Sequence, residues 1–110
     1  MSELDKLEQY LKVNGFVYER EDRPADKKLV EFYKSQPSGY HGEGEFHQIR
    51  VYDKEENRGY DFIWDAICHY GSYGFEHGLL EVMGTIVRDD AGDSVEGWLT
   101  AQDIIDRLEA

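Results

Sequence analysis

Leucines at positions 4, 7 and 11 recur at the three-to-four-residue spacing of one helix face. Ser2 precedes them as a cap with Asp5 at the third helical position, and Asn14-Gly15 follows as a stop. The pattern predicts an amphipathic helix over 2–14. Phe16 to Arg20 alternates briefly and suggests a short strand, after which Glu21-Asp22-Arg23-Pro24 reads as a turn. A second short helix is predicted over 25–34, with Pro24 just ahead of it. The stretch 35–45, SQPSGYHGEGE, is predicted to be a flexible loop.

From Phe46 the period changes from helix to strand. FHQIRVYD (46–53) and YDFIWDAI (60–67) flank a turn at Asn57-Arg58-Gly59, and LLEVMGTIV (79–87) and SVEGWLT (94–100) flank RDDAGD. Two hairpins follow. Thr100, with Asp103 three residues on, then caps a closing helix whose apolar stripe is Ile104, Ile105 and Leu108. The fold expected is α+β, one domain over 1–110, with an antiparallel sheet of about four strands packed against N-terminal and C-terminal helices.

Facing positions decide which side chains share a surface. With Val87 opposite Ser94, Leu80, Val82, Ile86, Val95 and Leu99 form an apolar face for the helices, and Glu81, Met83, Thr85, Glu96 and Trp98 form the other. In the first hairpin Phe62, Trp64 and Ala66 are expected to share the core face with Phe46 and Tyr52, leaving Asp61 and Asp65 opposite. Asp61, Asp65, Glu81 and Glu96 would then line an open acidic face around Trp98. Glu81 and Glu96 fall about 13 Å apart at ~3.3 Å per residue, beyond the reach of a two-carboxylate glycosidase.

Charge sharpens this picture. The chain carries 24 acids against 12 bases, a net −12, and residues 59–110 hold −9 of it. Binding to a phosphate backbone needs clustered Lys and Arg, so direct nucleic-acid binding is not expected and a basic partner is. No apolar run approaches the ~20 residues of a membrane span. The acidic start lacks the form of a secretory signal, so a cytoplasmic protein is expected.

Chemistry is suggested only around Cys68, the single cysteine, and the segment HYGSYGFEHG (69–78). Cys68 and His69 are neighbours on a strand and point to opposite faces; His77 or His47 could approach the thiol instead, but acidic surroundings are expected to raise a thiol pKa rather than lower it. Ser72 lacks the glycine at position 70 that a nucleophile elbow requires. Cys68, His69 and His77 lack the spacing of a strong zinc motif. No catalytic residue, metal or cofactor is assigned, and Tyr70, Tyr73 and Phe75 are read as rings of a glycine-hinged connection. A small Cys/His or metal-dependent hydrolase centred on Cys68, His69 and His77 is the alternative reading. A homodimer joined by a strand edge or the aromatic loop is the third.

WDAICHYGSYGFEHGLLEVMG (64–84), VEGWLTAQDIIDRLE (95–109) and LDKLEQYLKVNGFVYER (4–20) together resemble small acidic proteins of phage and conjugative elements of Gram-positive gut bacteria. That group has no established catalytic residues to carry over. The resemblance implies a protein that binds host machinery, in the manner of anti-CRISPR inhibitors or DNA mimics. The leading expectation is a non-enzymatic acidic binding module facing a basic protein surface, such as a Cas nuclease. Its contact residues would be Asp61, Asp65, Glu81, Asp89, Asp90, Asp93, Glu96 and Trp98, with Tyr70, Tyr73 and Phe75.

Overall fold

A computed structural model describes residues 2–23, 28, 31, 35, 46–69, 77–87 and 95–110. Within them the chain forms α1 (Glu3–Val13), β1 (Val17–Arg23), β2 (Phe46–Tyr52), one 3-10 turn (Glu55–Asn57), β3 (Trp64–His69), β4 (Leu80–Gly84), β5 (Val95–Leu99) and α2 (Ala101–Glu109). The strands make one antiparallel sheet in the order β1-β2-β3-β4-β5. The fold is α+β as expected, with five strands instead of four. The loop expected at 35–45 and the helix expected at 25–34 lie outside the described residues, apart from Lys28, Glu31 and Ser35.

Both helices start where their caps direct. The Ser2 hydroxyl accepts from the Asp5 N–H and the Asp5 carboxylate accepts from the Ser2 N–H, each at 3.0 Å. Thr100 and Asp103 repeat the exchange at 2.9 and 3.1 Å. Helix α1 ends with the Phe16 N–H on the Leu11 carbonyl (3.0 Å) and the Gly15 N–H on that of Lys12 (3.4 Å), with Gly15 at φ +75°. This Schellman closure needs a left-handed residue, which Gly15 supplies without strain.

The core lies between the helices and one sheet face. Leu4, Leu7 and Leu11 of α1 and Ala101 and Ile104 of α2 meet Ile49, Val51, Trp64, Ala66, Leu80, Val82 and Leu99 of the strands. Each fully buried leucine or isoleucine contributes roughly 1.5–3 kcal/mol. Glu3 ties the helices together, its carboxylate accepting from the Ala101 N–H at 2.8 Å.

Three departures from the sequence reading fix the geometry of the sheet. First, Glu21-Asp22-Arg23 does not turn but extends β1 to seven residues. Its charges find partners across β2: Arg50 donates to Glu21 (3.0 Å), Tyr52 donates to Glu19 (2.7 Å), and Arg23 lies 4.0 Å over the Phe46 ring. Cross-strand pairs of this kind favour strand in a stretch with weak intrinsic propensity.

Second, Trp64 faces Val51 and Ala66 faces Ile49, so the core side of β2 is Ile49 and Val51. Phe46 and Tyr52 fall on the opposite side, contrary to expectation. A change of one residue in register exchanges every side chain between faces.

Third, β4 and β5 slip between Leu80/Leu99 and Val82/Glu96. Gly97 and Trp98 together oppose Glu81, a β-bulge in which Trp98 takes φ +62°. Glu96 is thereby turned to the helix side, and Val95 pairs with Met83 on the other, both opposite to expectation.

Both sheet edges carry features that discourage strand addition. Strand β1 is charged at five of seven positions, and β5 is short and bulged.

Candidate functional site

The sequence-predicted contact residues divide four ways. Asp89, Asp90, Asp93, Tyr70, Tyr73 and Phe75 lie outside the described residues. Asp65 and Glu81 are buried rather than displayed on an open acidic face, Asp65 with 6% of its surface exposed. Glu96 is spent on α2, where Arg107 grips it with two hydrogen bonds, one of 2.9 Å. Among the described contact residues, only Asp61 and Trp98 stand at the surface, the indole 56% exposed with its ring 5.7 Å from that of His77.

Asp65 belongs instead to a polar ladder across the sheet. Glu21 accepts from Arg50, Arg50 donates to the side-chain Oε1 of Gln48 (2.8 Å), and the Gln48 Nε2 donates to Asp65 (2.8 Å). Burial pushes the Asp65 carboxyl above its ordinary range, against the smaller opposing pull of Gln48 and Arg50. A carboxyl raised on folding lowers the relative stability of the native state as pH climbs through the unfolded value and then the folded one. Relative to Asp65→Asn, the wild-type chain is therefore expected to lose stability as the pH is raised from the ordinary aspartate value of about 3.9 toward neutrality. Urea midpoints of the two chains across that range measure it, and parallel pH profiles would contradict it.

Positive charge is largely consumed inside the molecule. Among the described residues Lys6, Arg20, Arg23, Arg50, Lys54, Arg58 and Arg107 all sit in ion pairs. Arg20 alone binds Asp5 (2.8 Å), Glu8 (3.0 Å) and Asp22 (3.1 Å). Together with the Ser2 backbone N–H, which acts most strongly, it holds the Asp5 carboxyl down to about 2. What faces solvent is a surplus of carboxylates.

That surplus meets exposed apolar side chains in the connection from β2 to β3. Asp53, Glu55, Glu56 and Asp61 are exposed there, beside Tyr60 (79% exposed), Phe62 and Ile63. The segment is a built structure. Arg58 donates to the Tyr18 carbonyl at 2.7 Å and grips Glu55 at 2.8 and 2.9 Å, and the Ile63 N–H reaches the Val51 carbonyl at 2.8 Å. Asp53, Ile63 and Trp64 also line a recess of about 400 Å³ with the α1–β1 corner, Asn14 to Val17, next to exposed Val13. Sequence reading missed Tyr60, Phe62 and Ile63 by assigning them to a strand.

The opposite end of the sheet holds Cys68, a free and half-buried cysteine. Cys68 pairs across β2–β3 with His47, and His47 pairs across β1–β2 with Asp22. The His47 Nδ1 lies 2.6 Å from the Asp22 carboxylate. His47 and Cys68 border a cleft of about 570 Å³ with Arg20, His77 and the start of α1. The imidazole brought opposite Cys68 is thus His47 and not the adjacent His69, whose backbone pairs with Phe46. Among the described residues no group of three or more His, Cys, Asp and Glu side chains is arranged to hold a metal ion. No described helix is long and apolar enough to cross a membrane.

No protein-family model matches the chain, and no curated protein or solved structure matches it.

Proposed function

We propose that this chain is a non-enzymatic acidic protein-binding module that engages a Lys/Arg-lined surface through the β2–β3 connection. One observation carries the reading: exposed Tyr60, Phe62 and Ile63 sit among Asp53, Glu55, Glu56 and Asp61 on a segment pinned to the sheet. Aromatic anchors within a polar rim supply affinity by desolvation, while the carboxylates steer a basic partner and fix its orientation. Pre-forming the segment lowers the ordering cost of association. The resemblance to mobile-element proteins extends the proposal to inhibition, with carboxylates occupying a groove that otherwise receives nucleic-acid phosphates.

The immobilised chain, exposed to lysate of a Gram-positive host, is expected to retain basic nucleic-acid-binding proteins at low salt and to release them at high salt. Tyr60→Ala is expected to weaken retention at least tenfold, the effect of a central aromatic anchor of about 1.4 kcal/mol or more. Retention unaffected by Tyr60→Ala would remove the connection from the contact surface.

A further inference from the structure

From the row Asp22, His47 and Cys68 we infer a reactive-thiol site that exchanges with small cationic disulfides. The three residues occupy facing positions on β1, β2 and β3. Directly opposed residues of an antiparallel pair place their Cβ atoms about 4.5–5.5 Å apart, which brings an imidazole within reach of a thiol. The contact between His47 Nδ1 and the Asp22 carboxylate at 2.6 Å sets the ring's orientation, with Nδ1 toward Asp22 and Nε2 on the far side of the ring. A carboxylate behind an imidazole favours the imidazolium, and an imidazolium beside a thiol favours the thiolate.

Access and charge select the co-reactant. Cys68 is half-buried and borders the 570 Å³ cleft, which has room for a small organic disulfide. Among the described residues, the charged and titratable groups around the row are Glu3 and Asp5 of α1, with Lys6 paired to Glu3, Arg20 and Asp22 of β1, and His77 ahead of β4. Those three carboxylates outnumber the two cations paired with them, Arg20 and Lys6, while the His47 imidazolium is balanced by the Cys68 thiolate. A cationic disulfide is therefore drawn in and an anionic one repelled.

The exchange is balanced without another reagent. The Cys68 proton passes to His47, and the thiolate attacks one sulfur of the disulfide. A Cys68–S–S–R bond forms as the R–S–S–R bond breaks. The departing thiolate takes the proton from His47 and leaves as R–SH, so Cys68 is oxidised and the departing half is reduced.

Alkylation of the full chain by iodoacetamide between pH 5 and 9 tests the site. Wild-type Cys68 is expected to react with a midpoint below the ~8.5 of a free thiol. His47→Gln is expected to slow it about tenfold near pH 6.5, and Asp22→Asn to slow it by a smaller factor. Cystamine is expected to form the mixed disulfide several-fold faster than glutathione disulfide at low salt, followed by intact mass. A wild-type midpoint at or above the free-thiol value would overturn the inference whether or not the variants fold. A faster reaction with glutathione disulfide would overturn the choice of cationic disulfides.

Discussion

Replacing Gly84 with alanine is expected to destabilise the domain by roughly 2–4 kcal/mol, from backbone strain and overpacking together. Gly84 closes β4 opposite Trp64 at φ +103°, a conformation that L-residues rarely adopt. A Cβ there would stand 2.4 Å from the Ile63 carbonyl oxygen and 2.8 Å from the Trp64 Cα. Both obstacles are backbone, and the Ile63 carbonyl also receives the Thr85 N–H at 3.0 Å, so neither atom can move without losing a hydrogen bond or displacing buried Trp64. The urea midpoint should fall with the slope unchanged. Gly15→Ala provides a contrast, because a Cβ at Gly15 meets nothing within 4 Å and only the φ of +75° is at issue. Equal losses at the two positions would contradict the steric account.

Arg107→Ala is expected to cost about 2–4 kcal/mol, toward the lower end of the range for breaking a buried pair because the guanidinium keeps some contact with water. The Glu96 side chain is 10% exposed and that of Arg107 19%. Removing the guanidinium leaves a carboxylate between β5 and α2 without its bidentate partner. The Arg107→Ala, Glu96→Ala double variant is expected to lose less than the sum of the two single losses, as coupled neighbours do. Lys54, whose pair with Glu56 spans 3.6 Å at the open surface, is the control and should shift nothing measurable when truncated. Strict additivity at Arg107 and Glu96 would show that the pair contributes no coupling.

These two sites also mark where the sequence stops being readable. Both helices were legible to within a residue, because Ser2 with Asp5 and Thr100 with Asp103 are local signals whose physics needs no tertiary partner. The strand pattern of the C-terminal half was legible for the same reason: Leu80, Val82 and Leu99 alternate and are buried. The start of strand β1 was legible at Phe16 to Arg20, but its extension through Glu21 to Arg23 was not, since a run of charges becomes a strand only when it finds partners such as Arg50 on β2. Nor was the bulge, because Trp98 is a residue that φ +62° ordinarily excludes.

The candidate site suffered from those two gaps. Without the bulge, Glu96 shares a face with Glu81. With it, Glu96 joins Arg107 under α2. Without the extension of β1 through Asp22, His47 has no Asp22 beside it and the row Asp22, His47 and Cys68 does not form. The acidic character itself was legible from a net −12, but which carboxylates remain outside depends on which cations are already taken.

The most direct test of the binding-module account is capture from host lysate by the wild-type chain and by a variant carrying Asp53, Glu55, Glu56 and Asp61 as lysines, each at low and at high salt, with thermal melts confirming that both chains are folded. The account predicts partners retained by the wild type at low salt only and lost by the variant at both. The same partners on both chains, insensitive to salt, would contradict it.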